Sequence, residues 1–483
     1  MSEADLSRRE FLERTAYTAG LAGMATTLPV GTLLYEAADA DARRARLPSP
    51  RNVEIDHFVI LMMENRSFDH YLGWVPDADA VQSQSFRNSR GQSVPTRPAS
   101  NLGRAQFQGC GHPDPGHGWK SGRAQLRNGF IAEGSGNDEF ALSYYNRGQL
   151  PFIHDAASKY TMYDRYFCSL LGPTFPNRYY KWAATSAGKT ENIEQVDIAQ
   201  GGNQFETIFD RAISRGRSAR YYYSDQPFTA VYGPRGLAWS NPIARYYSDC
   251  AAGTLPNISI VDPPFRDGGG GDGLSADDHP LGDVRLGQAF MADVVNAFVS
   301  SPNYRRGALF LVYDEWGGFF DHVRPPRVPD KRSTRNLDTD FGQMGFRIPA
   351  VTISPYTRGA KKNRPAFRVD HGIYGHESIL KLISHRFGLG HLTRRHRYTR
   401  NIGHSFDWAN PDFNPPALPD PPQVASQPCT TGGGDILDPN AAHTSDLDGL
   451  RTLSDRFGYR TYSGNAHQIF TKPDSVKRAY KKR

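Results

Sequence analysis

Two apolar runs that end directly in polar residues constrain the fold more than any other feature of the chain. Both runs are short and bounded by loops, which is typical of central strands in a parallel sheet that is covered on both faces. They are residues 57–63, followed by Glu64 and Asn65, and residues 308–313, followed by Asp314 and Glu315. Residues 257–261 and 348–353 are further strand candidates.

Two other segments carry apolar residues at helical spacing, residues 286–299 and 379–387, and are predicted as amphipathic helices. Strands that alternate with helices predict an α/β sandwich, in which ligands gather at the carboxyl ends of the strands. The polar residues that follow the two apolar runs lie where that rule places a site. Residues 75–125 and 262–283 are predicted as long loops of the kind that form lids or walls.

The polar residues after the two strands are the first candidate site. Three carboxylates and one amide oxygen are suitable ligands for a divalent cation. Carboxylates crowded at a buried edge also repel each other unless a cation neutralises them. Taken singly, each acid is more often a helix cap or a surface residue, so the interpretation depends on the two pairs together. The residues are Glu64, Asn65, Asp314 and Glu315.

Thr174, in the segment GPTFPNR, is the second candidate. Pro176 near the first turn predicts a helix that begins here, with Thr174 as its N-cap. A helix N-terminus favours a bound phosphate, and a metal-activated hydroxyl placed there can attack phosphorus. Asn177 and Arg178 are predicted to donate to the phosphoryl oxygens. From the residues alone, a plain capping threonine is the simpler interpretation.

Four histidines lie in predicted loops. A histidine can ligate a metal, donate to a phosphate oxygen or protonate a leaving group. A single loop histidine is more often only solvated or hydrogen-bonded, and the sequence does not decide between these interpretations. The four are His117, His279, His322 and His376.

Residues 1–42 are predicted to be an export signal. Arg8 and Arg9 precede an uncharged stretch, residues 15–34, and small residues around Ala38 and Ala40 offer a cleavage site. Paired arginines before such a stretch resemble a twin-arginine signal, which implies passage through the Tat machinery and a periplasmic, cell-wall or secreted location. A retained membrane anchor is the alternative, because the stretch is long enough to span a bilayer.

The charge balance and the cysteines bound the partners and the compartment. Lys and Arg outnumber Asp and Glu by 57 to 50, which suits phosphate-bearing substrates and peripheral contact with an anionic membrane. The sequence has no arginine-rich helix, zinc-finger spacing or aromatic RNA-binding motif, so we expect no nucleic-acid partner. The four cysteines show no C-x-x-C pattern, and an oxidising destination permits disulfides in any of three full pairings.

Six segments resemble the bacterial phosphoesterase family that contains non-haemolytic phospholipases C and a respiratory-burst-inhibiting acid phosphatase. They occur in order over residues 52–390, and the first and fifth are the longest. The segments are residues 55–71, 114–117, 172–178, 278–280, 313–323 and 349–359. We therefore expect a catalytic domain over residues 50–410 and a Pro/Gly-rich extension over residues 411–483 that packs on it or trails from it.

The resemblance implies a three-layer, alkaline-phosphatase-like α/β/α sandwich with a mostly parallel central sheet. It implies that one divalent ion (zinc, calcium, magnesium or manganese) is held by Glu64, Asn65, Asp314 and Glu315. It further implies that Thr174 is the nucleophile, where phosphatase members carry serine. His117 and His279 would be catalytic, and Asn177, His322 and His376 would contact the substrate.

The expected function is hydrolysis of phosphate esters through a phospho-threonine intermediate, with the leaving alcohol protonated by His279 or His117. Phospholipase C-type cleavage of phospholipid head groups is the first expectation, and a broad phosphomonoesterase is the alternative. A catalytically silent exported binding protein on the same scaffold is a third interpretation. It is disfavoured because every candidate ligand and the nucleophile are present in the sequence.

Overall fold

The computed structural model describes residues 47–192, 201–265, 275–359, 367–420 and 443–462, together with residues 424, 426, 427 and 429. The predicted export signal in residues 1–42 lies outside the described residues.

The described residues form twelve strands and eleven α-helices. The strands are β1 (His57–Met63), β2 (Ser85–Arg87), β3 (Ser93–Pro95), β4 (Arg97–Pro98), β5 (Ser143–Tyr144), β6 (Thr161–Tyr163), β7 (Ala219–Tyr223), β8 (Ser240–Pro242), β9 (Ile258–Val261), β10 (Gly307–Tyr313), β11 (Ala350–Ile353) and β12 (Arg368–Asp370). The helices are α1 (Phe68–Leu72), α2 (Trp119–Asn128), α3 (Pro151–Lys159), α4 (Thr174–Ala183), α5 (Ile208–Ser214), α6 (Pro234–Leu237), α7 (Ile243–Ala252), α8 (Val284–Ser300), α9 (His376–Phe387), α10 (Arg394–Tyr398) and α11 (His443–Phe457).

Eight strands form one central sheet in the order β12-β6-β11-β10-β1-β9-β7-β8. Strand β11 runs antiparallel to both of its neighbours, whereas every other adjacent pair in this sheet is parallel. The sheet is therefore mostly parallel, as expected. Strands β1 and β10, which contain the two apolar runs, lie side by side in its middle.

The central strands are covered on both faces. All seven residues of β10 and six of the seven in β1 are buried, and successive side chains of a strand point to opposite faces. The helices that supply this cover form two groups, in which α3 and α7 pack against α8, and α4 packs against α9. The three-layer α/β/α sandwich is thus confirmed, and α8 and α9 confirm the two predicted amphipathic helices.

The loop predictions were partly wrong. Residues 75–125 contain β2, β3 and β4, a 3₁₀ helix at Ala99–Phe107 and the beginning of α2. Their strands are two or three residues long and have no apolar run, which is why the sequence pattern gave no signal. The described residues of 262–283 contain neither helix nor strand, as predicted.

The described residues of the C-terminal extension contact the rest of the chain at several places, which include hydrogen bonds from Arg358 to Asp412 and from the hydroxyl of Tyr459 to the carbonyl of Thr229. Leu450 and Leu453 of α11 are buried in the core. Cys110 and Cys429 form a disulfide with a Cα–Cα distance of 5.4 Å, which selects among the pairings that the sequence left open. The other two cysteines, Cys168 and Cys250, are buried free thiols. Within the described ranges, no helix is both long and apolar enough to cross a membrane.

Candidate active site

The ends of β1 and β10 bring the predicted metal ligands together. Met63 and Tyr313, the last residues of the two strands, are paired in register. The next residues therefore meet: the backbone N–H of Asn65 donates to Oδ1 of Asp314 at 3.1 Å. The N–H of Glu315 donates to the same oxygen at 2.7 Å. The structure thus places both strand ends at one edge of the sheet, where the sequence predicted a site.

Two glycines allow the turn after β10 to pack closely on this edge. Asn65 adopts a left-handed conformation (φ 60°), and a Cβ on Gly317 would lie only 2.0 Å from its carbonyl oxygen. A Cβ on Gly318 would lie 2.7 Å from Cβ of Pro115. Both glycines also have positive φ, which other residues adopt at a cost. The turn therefore fits between Asn65 and the loop that carries His117.

Thr174 lies beside this edge as the first residue of α4 and is buried. Its Oγ1 donates to Oδ1 of Asn65 at 3.4 Å. The prediction that Thr174 is the N-cap was wrong, because the extended backbone of Pro173 fills that position. The helix ends at Ala183, because Ala184 adopts a left-handed conformation. The hydroxyl of Thr174 is therefore not used as a cap and is directed to Asn65.

Asn177 shapes the loop that precedes Thr174. Its Nδ2 donates to the carbonyls of Leu170 (3.1 Å) and Gly172 (2.8 Å), and its Oδ1 accepts from the N–H of Leu170 at 2.9 Å. The side chain is completely buried. In this geometry Asn177 positions Thr174 through the backbone, and its predicted contact with a phosphoryl oxygen stays a prediction.

His117 and His279 form a second group next to Asn65. Nδ1 of His117 donates to the carbonyl of Pro115 at 2.7 Å, so Nε2 carries the lone pair and accepts from Nδ2 of Asn65 at 3.4 Å. The two imidazole centroids are 5.5 Å apart. Nε2 of His279 lies 3.9 Å from Oδ2 of Asp114. The structure thus brings both predicted catalytic histidines to the site, together with Asp114, which had been noted only as part of a motif.

Arg178 is the main counter-ion of the site. Its guanidinium contacts three buried carboxylates, Glu64 at 2.9 Å, Asp262 at 2.9 Å and Asp314 at 3.2 Å. Burial alone would lower the pKa of this group, but the carboxylates outweigh it and raise the pKa, so Arg178 is charged. The sequence interpretation had assigned Arg178 to phosphate. It had missed Asp262 altogether, although this residue directly follows β9, as Asp314 follows β10.

Negative charge still exceeds positive charge around the site. Burial raises the pKa of Glu315 well above its ordinary value, and the neighbouring Asp314 raises it further. Burial also raises the pKa of Asp277 well above its ordinary value, and the charge of Glu64 raises it further. Burial lowers the pKa of Lys181 to about 8, although the charge of Asp262 acts in the opposite direction. The buried acids that the structure describes here include Glu64, Asp262, Asp277, Asp314 and Glu315, and the buried cations Arg178 and Lys181 form ion pairs with three of them, Glu64, Asp262 and Asp314.

These residues fit a divalent cation. Oε1 of Glu315 is buried and has no hydrogen-bond partner within the described part of the chain, and it lies 4.0 Å from Nε2 of His117. A cation would neutralise the excess negative charge and satisfy this oxygen. The predicted ligands are joined by a second set, whose ligand atoms all lie within 4.8 Å of one another: Asp114, His117 and His279.

His376 supports Asp314 from its backbone side. Its Nε2 donates to the carbonyl oxygen of Asp314 at 2.8 Å. Burial lowers the pKa of His376 to about 3, and the charges of Lys181 and Arg178 act in the same direction, so the imidazole is neutral. Its direct contact with a substrate stays a prediction.

His322 belongs to a separate ionic network. Its Nδ1 lies 2.5 Å from Asp69 and its Nε2 lies 3.0 Å from Asp79. Asp69, Asp321 and His322 are close enough to hold an ion, but the guanidinium of Arg347 donates to Asp321 at 2.9 Å and to Asp69 at 3.1 Å. An arginine thus supplies the positive charge of this cluster. A substrate contact of His322 stays a prediction.

The chain matches one protein family over most of its length. A sequence model of the Phosphoesterase family matches residues 55–390. The chain is 31% identical over 367 residues to Non-specific phospholipase C6 of Arabidopsis thaliana, an alignment that covers 70% of this chain and 69% of the relative. All six sequence segments that carry the resemblance lie within residues 55–390.

Bacterial relatives are similar over a larger share of the chain. Identity to Non-hemolytic phospholipase C of Burkholderia pseudomallei is 27% over 495 residues, covering 86% of this chain and 67% of the relative. Identity to Phospholipase C B of Mycobacterium tuberculosis is 29% over 452 residues, covering 80% and 82%. Among solved structures, a protein in the alkaline phosphatase superfamily from Vibrio parahaemolyticus superposes with a TM-score of 0.36 at 10% identity, over 78% of this chain and 79% of that one.

Proposed function

The chain belongs to the phosphoesterase family, whose members are hydrolases that act on phosphoester bonds, and from this premise we propose that it is an exported, metal-dependent phospholipase C. The substrate would be a phospholipid, cleaved between the glycerol oxygen and phosphorus. The names of the relatives from Arabidopsis, Burkholderia and Mycobacterium support this substrate class. The basic charge surplus supports brief contact with an anionic membrane surface.

One observation carries the proposed chemistry. The hydroxyl of Thr174 donates to Oδ1 of Asn65, which itself lies at the edge where β1 and β10 deliver their carboxylates. A nucleophilic hydroxyl must lie next to the groups that lower its pKa and stabilise the charge that develops at phosphorus. The position of Thr174 at the first residue of α4, with its hydroxyl directed to Asn65, supports its proposed role as the nucleophile.

A bound divalent ion would be held by Glu64, Asn65, Asp314 and Glu315, and it would supply positive charge that lowers the pKa of a neighbouring hydroxyl. The side chains of the protein would perform the remaining steps. Oγ1 of Thr174 attacks phosphorus and gives its proton to one of the two histidines, His117 or His279, while the bond from phosphorus to the glycerol oxygen breaks. The other histidine, which begins the step protonated, gives its proton to that oxygen and releases diacylglycerol.

Water completes the cycle in a second displacement. The histidine that gave its proton now accepts one from the attacking water, while the bond between phosphorus and Oγ1 of Thr174 breaks and the other histidine returns a proton to Oγ1. The products are the phosphorylated head group and the restored hydroxyl. The two ring planes of His117 and His279 are nearly perpendicular (82°), so the imidazoles are not stacked and their Nε2 atoms can approach a ligand from different sides.

Export is supported by the chemistry of the cysteines. A disulfide such as Cys110–Cys429 persists in oxidising compartments and is rare in the cytosol. It is consistent with the twin-arginine pattern at the start of the sequence. We infer that the protein acts outside the cytoplasmic membrane, in the periplasm, in the cell wall or as a secreted enzyme.

The test is an assay of the purified protein with phosphatidylcholine vesicles and with p-nitrophenyl phosphate, before and after metal removal. We expect release of diacylglycerol from the vesicles, loss of this activity with a chelator, and recovery when one of zinc, calcium, magnesium or manganese is added. Hydrolysis of p-nitrophenyl phosphate without diacylglycerol release would overturn the phospholipase assignment in favour of a phosphomonoesterase.

A further inference from the structure

An exposed basic face is built from two segments that are far apart in the sequence, the loop of residues 329–341 and helix α10. The cations of this face are exposed residues: Lys331, Arg332, Arg335, Arg394 and Arg397. Within the described ranges of the chain, none of these five side chains forms an ion pair with a carboxylate. Their charges are therefore available to a partner outside the chain.

Two acids of the loop are buried and already paired. Asp340 is fully buried, and its Oδ2 accepts from Nε of Arg327 at 2.8 Å. Its Oδ1 accepts from the backbone N–H of Thr334 at 2.9 Å, which holds the loop in one conformation. Asp330 is also buried and lies 3.5 Å from Nε of Arg395. Because each acid has an arginine as its partner, neither of them neutralises the exposed cations of the basic face.

Arg395 joins the loop to helix α10. Its Nη2 donates to the carbonyl of Phe341 at 2.7 Å, in the loop. The guanidinium carbons of Arg394 and Arg397 lie 5.8 and 5.7 Å from the ring centroid of Tyr398, which is 49% exposed. Tyrosine is enriched where proteins meet the head groups of a bilayer, because one end of its ring is apolar and the other is polar. The two segments thus form one surface that combines cations with an exposed aromatic ring.

Trp119 connects the basic face to the loop that leads to the proposed nucleophile. Its Nε1 donates to the carbonyl of Asp338 at 2.9 Å, in the segment that carries three of the cations. Its indole ring also packs against Gly172, where a Cβ would lie 3.4 Å from the ring, and Gly172 is two residues before Thr174. The carboxylate of Asp338 lies 2.7 Å from Nη2 of Arg127 and is paired with it. The basic face therefore borders the candidate active site.

From this arrangement we propose that the basic face docks on an anionic lipid bilayer and holds the active-site loop close to the bilayer surface. The proposal rests on the proposed phospholipase function, because such an enzyme must reach a substrate that is embedded in a membrane. Lys and Arg side chains are attracted by the negative potential of anionic head groups, and several cations on one face add their effects. The exposed ring of Tyr398 suits the head-group region.

Vesicle flotation with the full protein tests the proposal. Thr174→Ala is the background for these measurements, so that no lipid is hydrolysed while binding is measured. The vesicles consist of phosphatidylcholine alone or of phosphatidylcholine mixed with phosphatidylglycerol. We expect binding to the anionic vesicles to be tighter by about tenfold or more, and to weaken as added salt screens the charges. Equal binding to neutral and anionic vesicles would overturn the proposal.

Two variants remove the cations of the two segments separately. Each lost charge should weaken binding to the anionic vesicles by up to about fivefold, so the loop variant should lose about tenfold or more. Melting curves show whether a variant has folded, and if one has not, the other still tests the face. Unchanged binding in the folded variants would overturn the proposal. The loop variant is Lys331→Gln, Arg332→Gln and Arg335→Gln, and the helix variant is Arg394→Gln and Arg397→Gln.

A matched control removes three exposed arginines from the opposite edge of the sheet. They precede β1, β7 and β10, whereas the candidate active site lies where β1 and β10 end. The control has the same net charge as the loop variant, and we expect it to bind the anionic vesicles as tightly as the background protein. Equal weakening in the control and the loop variant would overturn the proposal, because it would show that only the overall charge attracts the membrane. The control is Arg51→Gln, Arg217→Gln and Arg305→Gln.

A soluble substrate separates this proposal from the proposed function. With Thr174 in place, the loop variant should hydrolyse dihexanoyl phosphatidylcholine, below its micelle concentration, at an unchanged rate. It should release diacylglycerol from anionic vesicles more slowly. Binding of anionic vesicles through the basic face, without release of diacylglycerol from either substrate, would support the basic face and overturn the phospholipase assignment. Binding of inorganic polyphosphate by the basic face, without binding of anionic vesicles, would overturn the bilayer as its partner.

Discussion

The backbone N–H of Asn65 donates to Oδ1 of Asp314 across 3.1 Å, and this bond joins the ends of two adjacent parallel strands. Asn65 is 249 residues away from Asp314 in the sequence, so only the folded sheet creates the contact. The same residue also accepts from Thr174 and donates to His117. Asn65 is therefore the point at which the nucleophile, the carboxylates and the histidines meet.

Replacement of Thr174 by alanine should abolish turnover. Because Thr174 is not the N-cap of α4, the substitution removes no capping bond, and the melting temperature should stay within about 2 °C of the original. We expect kcat to fall by about 10⁴-fold, with metal content unchanged. Thr174→Ser keeps the hydroxyl and should retain activity. A Thr174→Ala protein that still turns over would rule out Thr174 as the nucleophile.

Replacement of Arg178 by methionine should destabilise the protein strongly. The change leaves Glu64, Asp262 and Asp314 buried without their main cation, and removing one partner of a buried ion pair typically costs about 3–5 kcal/mol. Arg220→Met is the matched control. Arg220 is one-third exposed and, among the carboxylates that the structure describes, forms an ion pair with Asp249, so its loss should cost about 1 kcal/mol or less. Chemical denaturation measures the free energy of unfolding of both variants. An equal loss of stability in the two variants would show that Arg178 is not the counter-ion of the site.

Metal removal should lower both activity and stability. A bound ion stabilises the folded protein by mass action, so a chelator should lower the melting temperature and restored metal should raise it again. Glu315→Gln removes the charge of the unsatisfied carboxylate and should reduce bound metal, measured by elemental analysis. Glu377→Gln, at a buried glutamate that bonds Ser169, is the control and should leave metal content unchanged. Full metal occupancy in Glu315→Gln would contradict the predicted ligand set.

Thiol titration should distinguish the two kinds of cysteine. Denatured without reductant, the protein should expose two reactive thiols, those of Cys168 and Cys250. After reduction it should expose four, because the Cys110–Cys429 bond then opens. The variant Cys429→Ser should instead show three thiols under both conditions. Four thiols without reductant in protein recovered from an oxidising compartment would contradict the disulfide.

The network of His322 should make stability depend on pH. Although burial opposes its charge, the carboxylate of Asp69 raises the pKa of His322. A histidine whose pKa is raised on folding stabilises the protein fully below its unfolded pKa of about 6.5, and this contribution disappears as the pH rises through the higher folded value.

We therefore expect His322→Gln to lower the melting temperature at pH 5.5 by about 2 °C, and by less at pH 9. The comparison must be made against the unsubstituted protein at each pH, because other groups titrate as well. A difference that is constant over this range would show that the charge of His322 does not contribute.

The sequence predicted the parts of the site that follow from local patterns. The apolar runs marked β1 and β10, and parallel strands place their carboxyl ends at one edge, so the meeting of Asn65 with Asp314 could be expected. The helices α8 and α9 followed from the spacing of their apolar residues. The motif GPTFPNR indicated Thr174 as a site residue. Its predicted position in the helix was wrong by one residue, because Pro173 is the N-cap.

The contacts of Arg178 could not be predicted, because they depend on strand order. Asp262 follows β9 just as Asp314 follows β10, but nothing local indicates that β9 is the other neighbour of β1. The role of Asn177 was hidden for another reason. Its amide bonds the backbone of the preceding loop, and the conformation of that loop depends on packing against distant residues.

The place of β1 in the sheet has a consequence for synthesis on the ribosome. This strand is made first among the sheet strands, yet its two neighbours, β9 and β10, leave the ribosome roughly two hundred residues or more later. A nascent chain that stops before residue 258 has no native partner for β1. A chain that stops before residue 314 holds Glu64 and Asn65 without Asp314. The candidate metal site can therefore form only late in translation, after both β9 and β10 have been made and can pair with β1.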